Sequence, residues 1–161
     1  MKKVCIVYAS LSGNTEKMAL LIGETLQEIA VDYKWMELTE PAELLNYDGI
    51  VVGAYTWGDG ELPYEAEEFC AGVSGLNLRG IPTAVFGSGD RAYPRYAVAV
   101  DMLHECFTAA GATMLAFRLK VELAPDSAAT SEECRSFAES FQQLLQQTGR
   151  CGVTNEGGAL L

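Results

Sequence analysis

The chain has 161 residues, 49% of them hydrophobic and 20% charged, which is the make-up of one globular domain with one sizeable core. A net charge of −11 at pH 7 opposes binding to nucleic acid or to an anionic membrane. No apolar run approaches the ~18 residues of a membrane span. The five cysteines include no C-x-x-C pair, and a single histidine leaves no zinc spacing, so the thiols read as reduced packing residues.

The opening Met1-Lys2-Lys3 carries lysines like those of a signal peptide. The apolar run behind it is short and enters a polar turn without a cleavage pattern, so a strand in a cytoplasmic protein is the expectation. Val4 to Ala9, β-branched at Val4, Ile6 and Val7, predicts a strand buried on both faces. A helix follows, with Met18, Leu21, Ile22, Leu26 and Ile29 at helical spacing. A second strand is expected over 31–38, a short helical turn over 41–45 and a third, buried strand over 49–54. Residues 64–71 read as a helix and 81–87 as a fourth strand. Residues 95–110 are expected to form a long helix closed by Gly111. A fifth strand is expected over 113–123 and a last helix over 131–147, with Phe137, Phe141, Leu144 and Leu145 on one face.

Strand and helix alternate five times. This predicts an α/β fold, a three-layer doubly wound sandwich whose five-stranded parallel sheet has the order 2-1-3-4-5. Residues 1–147 are expected to form the domain. The glycine-rich stretch 148–161 is expected to be a disordered tail.

Ligands of open α/β sheets bind outside the carboxyl ends of the strands, and three loops there carry the informative residues. Ser10-Leu11-Ser12-Gly13-Asn14-Thr15 is dense in hydroxyls and N–H groups and opens a helix, whose N-terminus can hold an anion. It has neither the Walker nor the dinucleotide glycine spacing and contains no lysine or arginine. A phosphatase-type C-x5-R loop is excluded, because Leu11 stands where its arginine would be. Thr56-Trp57-Gly58-Asp59-Gly60-Glu61 puts a tryptophan among glycines, able to cover a flat ring. Ser88-Gly89-Asp90 leads to Tyr93 and Tyr96, and Tyr93 could cover the other face. Together the loops describe a phosphate at one end and a flat heterocycle at the other, the outline of FMN.

On these three loops the chain resembles the bacterial short-chain flavodoxins as far as about Gln147. The first loop is similar to the family's phosphate loop, (S/T)-x-(S/T)-G-x-T, with Leu11 in place of a smaller or hydroxylated residue. The resemblance implies FMN bound without a covalent bond. Ser10, Ser12, Asn14 and Thr15, with the N–H groups of Leu11 and Gly13, would hold the phosphate, and Thr56 would reach the phosphate or ribityl chain. Trp57 and Tyr93 would sandwich the ring. Ser88, Gly89, Asp90 and the backbone near Tyr96 and Ala97 would face its pyrimidine edge. Gly58, in the loop with Asp59 and Gly60, would turn its carbonyl toward flavin N5 with redox state. Nearby acids and a loop without a cation would make the second potential very negative.

The implied function is a low-potential one-electron carrier, a monomer without catalytic residues. Transient basic partners are expected: a flavodoxin or ferredoxin reductase as source, and haem or iron–sulfur enzymes as sinks. Ten acids and one base between Asp32 and Leu78 suggest the docking face. The alternative is an NAD(P)H:quinone reductase-type enzyme on the same fold. A phosphoacceptor signalling domain lacks its acids after the first and third strands, and a module without FMN leaves the three loops unexplained.

Overall fold

The computed structural model describes residues 1–148. Six strands run over Lys2–Ala9 (β1), Ile29–Trp35 (β2), Gly49–Tyr55 (β3), Pro82–Gly89 (β4), Thr113–Met114 (β5) and Leu119–Glu122 (β6). Four α-helices run over Asn14–Thr25 (α1), Tyr64–Val73 (α2), Val98–Ala109 (α3) and Ala128–Thr148 (α4). Short 3-10 turns occupy Met36–Leu38 and Pro41–Asn46. All strand pairs of the sheet are parallel, in the order β2-β1-β3-β4-β5, with β6 also on β4. This is the order expected from the sequence.

Alternation along the inner strands divides the core into two layers. Val4, Ile6 and Tyr8 of β1 and Val51 of β3 pack with Met18 and Ile22 of α1 and with Phe137 and Phe141 of α4. Cys5, Val7 and Ala9, with Ile50, Val52 and Ala54, face Phe69 and Val73 of α2 and Leu103 and Phe107 of α3. Strands buried on both faces must be apolar at every position, which is why β1 and β3 read as continuous runs. Each large side chain so buried contributes about 1.5–3 kcal/mol. Gly53 is required in the middle of β3, since a Cβ there would run into the ring of Phe86.

The fifth strand position differs in detail from the expected single strand over 113–123. Two short segments fill it. Thr113 and Met114 pair with Pro82 and Thr83, and Leu119 to Glu122 pair with Phe86 to Gly89. Between them β4 advances from Thr83 to Phe86 while the edge chain advances from Met114 to Leu119, so the extra residues bulge out of the ladder. Phe117 in the bulge packs edge-on against Phe137 at 5.5 Å. The second strand is also shorter than expected, giving way to a 3-10 turn at Met36, and the third helix begins at Val98 rather than at 95. Of the stretch expected to be a tail, Thr148 ends α4, and 149–161 lie outside the described residues.

Candidate functional site

The strand order reverses between β1 and β3, where a doubly wound sheet opens a crevice. Register sets Ala9 beside Ala54 and Ala54 beside Gly87, so the loops after β1, β3 and β4 leave adjacent strands at one level. Between them lies a cleft lined by all three, with Leu11, Ser12 and Asn14 on one side, Thr56 and Gly58 on another, and Ser88, Gly89, Asp90, Tyr93 and Ala97 on the third.

The first loop delivers α1 without a side-chain cap from its cap residue, Gly13, which lies in the left-handed region (φ 94°). The N–H groups of Asn14 and Thr15 are left for an outside acceptor. Ser10 lies back from the cleft and accepts the N–H of Glu16 at 3.2 Å. Thr15 is buried, its hydroxyl sharing a 2.8 Å hydrogen bond with that of Ser88. That bond ties the first loop to the end of β4.

The second loop is a tight turn closed by three backbone bonds between Trp57 and Gly60 or Glu61. Gly58 and Gly60 both have positive φ, 54° and 131°. The Thr56 hydroxyl oxygen accepts the N–H of Ala99 at 3.1 Å, so Thr56 serves the start of α3 while lining the cleft. Trp57 is 51% exposed and stands on an adjoining groove rather than on the cleft itself. The two depressions share Leu11 and Tyr55. Asp59 is exposed and Gly60 buried, and neither lines the cleft.

In the third loop Asp90 accepts the N–H of Ala92 at 2.9 Å through its carboxylate and that of Tyr93 at 3.1 Å through its carbonyl. This turn presents Tyr93, 49% exposed, to the cleft. Tyr96 is placed elsewhere. Its ring lies under the Arg91 guanidinium at 4.3 Å, against the core, and burial raises its hydroxyl pKa. A Cβ on Gly89 would lie 2.8 Å from the Ala97 N atom, so only glycine lets the two backbones approach here.

Three lining residues were not singled out in the sequence: Tyr55, Arg95 and Leu123. Tyr55 and Leu123 stand at carboxyl ends of β3 and β6, the position that marked the other loops. Burial, with Glu65 beside it, pushes the Tyr55 hydroxyl up to about 12, so it is a neutral donor, to Glu65 at 3.3 Å. Arg95 brings a cation to a wall that otherwise holds Asp90.

The residues present fit FMN. A helix N-terminus with open N–H groups beside hydroxyl and amide side chains suits a phosphate. Open space around Gly13 and Gly58, where an added Cβ would meet nothing within 4 Å, leaves their peptides accessible. Two half-exposed aromatics, Tyr93 on the cleft and Trp57 on the groove beside it, are available to cover a flat ring.

Comparison with known proteins agrees. Residues 6–137 match the family model described as Flavodoxin. The chain is 46% identical over 143 residues to "Probable flavodoxin 1" of Bacillus subtilis, covering 88% of this chain and 90% of that protein. Oxidised flavodoxin 2 from Bacillus cereus superposes with a TM-score of 0.84 at 44% identity, over 88% of this chain and 99% of that one. A short-chain flavodoxin associated with a non-canonical PDU bacterial microcompartment gives a TM-score of 0.86 at 31% identity, over 90% and 99%. The chain therefore belongs to the flavodoxin family, in its short-chain form: it is an electron-transfer protein rather than an enzyme, and FMN is its cofactor.

Proposed function

We propose that FMN occupies the cleft at the β1/β3 switch point, and that the protein is a low-potential carrier exchanging single electrons between a reductase and haem or iron–sulfur enzymes. The observation that carries this reading is the N-terminus of α1, with the N–H groups of Asn14 and Thr15 open, meeting two glycine-freed aromatic loops at the carboxyl ends of adjacent strands. Bound FMN supplies a centre that takes up two electrons one at a time.

The chain's own residues divide the work. Ser12, Asn14 and the N–H groups of residues 11–15 bind the phosphate through neutral donors and the helix dipole. Ser10 and Thr15 position that loop, since their hydroxyls bond within the protein. Thr56 retains an O–H to donate toward the phosphate or ribityl chain. Ser88, Gly89, Asp90 and Ala97 present polar edge groups to the ring. Tyr93 covers one face of the ring and Trp57 the other. Tyr96 supports the third loop through Arg91. Gly58, followed by Asp59 and Gly60, lets one peptide take two orientations and so place or withdraw a carbonyl at the flavin edge.

Low potential follows from the charges. Asp90 stands in the wall, and Glu61 lines the adjoining groove. Added negative charge is disfavoured there, and Arg95 offsets only part of it. A monomer in the cytoplasm is the form proposed. Among the described residues no helix is long and apolar enough to cross a membrane.

The test is an anaerobic spectroscopic titration of the purified protein reconstituted with FMN. Tight FMN binding, two well-separated one-electron steps and a very negative second potential are expected. A single two-electron step with rapid NADPH oxidation by a quinone would shift the assignment to a reductase-type enzyme. Failure to bind FMN would overturn it altogether.

A further inference from the structure

Helices α2 and α3 lie on the same face of the sheet, and two thiols meet where they touch. Cys70 on α2 and Cys106 on α3 are both half-buried against the same core layer. Cys106 Sγ lies 3.8 Å from the Cys70 carbonyl, to which it can donate. That contact places the Cys106 sulfur against the Cys70 residue of the neighbouring helix. The other described cysteines are unlike them. Cys5 and Cys134 are fully buried and sit in the opposite layers, Cys5 under the α2 and α3 side and Cys134 under the α1 and α4 side. Burial pushes their thiols up to about 12 and about 11. Neither Cys70 nor Cys106 lines the cleft, and electron carriage makes no use of them.

We propose that Cys70 and Cys106 form a reversible disulfide that staples α2 to α3 in response to a low-molecular-weight disulfide of the glutathione class. A cysteine sulfur 3.8 Å from the backbone of a second cysteine, with both residues on packed helices, leaves a disulfide within reach of side-chain rotation. The neighbouring Cys70 thiol favours the thiolate of Cys106, while Cys106 and burial hold the Cys70 thiol high. With its sulfur already against Cys70, Cys106 is assigned as the attacking sulfur. Its thiolate attacks one sulfur of the small disulfide, that S–S bond breaks, one small thiolate leaves and a mixed disulfide forms. Cys70 then gives its proton to solvent and its sulfur attacks that of Cys106, expelling the second small thiol. Two protein thiols are oxidised, and one small disulfide is reduced to two thiols.

The position of the staple gives it a consequence. The loop it closes contains β4 and the 90–97 segment with Tyr93, and it ties them to the helix that follows the Trp57 turn. Closing such a loop restricts the unfolded chain, so the oxidised protein resists unfolding and keeps its cofactor loops assembled under oxidising conditions.

The test uses the full chain with Cys151→Ser, which removes a competing thiol, treated with oxidised glutathione and digested without reduction. Mass spectrometry should find the Cys70 and Cys106 peptides joined, two hydrogens lighter than the free pair, and dithiothreitol should separate them. The thermal midpoint should rise by about 5–10 °C on oxidation, and neither effect should appear in Cys70→Ser or Cys106→Ser. Recovery of both residues as free thiols, or arrest of Cys106 as a mixed disulfide in folded protein, would overturn the proposal. This mapping needs no variant at positions 70 or 106 to fold.

Discussion

At Gly58 the backbone has a φ of 54°, and an added Cβ would meet nothing within 4 Å. An alanine there has room, so its effect is purely conformational, about 1 kcal/mol against the left-handed region. Gly58→Ala should leave the fold intact and cost about that much in denaturant unfolding of the apoprotein. It should also draw the two one-electron potentials together, because the second peptide orientation is no longer nearly free. Unchanged spacing of the potentials in a folded variant would remove this peptide from the tuning. Gly60 is a different case. Its φ is 131° and a Cβ would crowd Arg95 at 2.8 Å, so a substitution there mixes strain with displacement of a charge. The residues found from the sequence were those whose chemistry is unusual for a loop, such as a tryptophan among glycines or hydroxyls before a helix. Tyr55 and Leu123 escaped because an apolar residue at a strand end looks the same whether it closes a core or lines a cleft. Arg95 escaped because it sits next to a long helix in sequence, and only the turn at Asp90 aims that segment back at the site. Thr15 and Ser88 were found, but nothing in the sequence shows that their hydroxyls bond to each other.

At the scale of elements, α3 is pinned to the edge of the sheet by charge. Asp101 in its first turn accepts from Arg118 at 3.0 Å and from Lys120 of β6 at 2.7 Å. Partial burial works to raise the Asp101 pKa, but the two cations outweigh it and hold the carboxyl below its ordinary value. A folded-state pKa below the unfolded one stabilises the protein above the unfolded pKa, and that contribution is lost as pH falls through the folded one. The side chain is about one-third exposed, so solvent screens the pair and the contribution is no more than about 1 kcal/mol. Asp101→Asn should therefore unfold at lower urea than the parent at pH 7, and the two midpoints should converge as the pH drops below the carboxylate range. A difference that persists there would mean that shape, not charge, pins the helix. The inner elements were legible because burial on both faces makes Val4 to Ala9 of β1 and Gly49 to Ala54 of β3 apolar throughout. The edge strand was legible only as one run. Its bulge between Met114 and Leu119 is set by the spacing of its contacts on β4 and by the seat of Phe117 on Phe137, neither of which leaves a local pattern.

For the molecule as a whole the asymmetry of charge is the property that reaches a partner first. The sequence shows ten acids against one base between Asp32 and Leu78 but not the direction in which they point. In the fold, Glu61, Glu65 and Glu67 line the groove beside the cleft, and exposed apolar side chains stand among them: Leu11 at 68%, Trp57 at 51% and Tyr64 at 70%. Acids around an apolar centre steer a basic protein by long-range attraction and let a small dry contact form over the flavin edge. Because the Debye length falls to about 10 Å at 0.1 M salt, steering should fade as ionic strength rises while the contact itself persists. Second-order rate constants for reduction by a basic redox protein, measured by stopped flow at low partner concentration, should therefore fall steeply with added salt. In Glu67→Gln/Glu68→Gln the rate should start lower and vary less with salt, and FMN binding should not change, since neither residue lines the cleft or bonds to one that does. A parent rate insensitive to salt would mean that the acids serve solubility alone. A double variant with the parent's salt slope would place the encounter on another face.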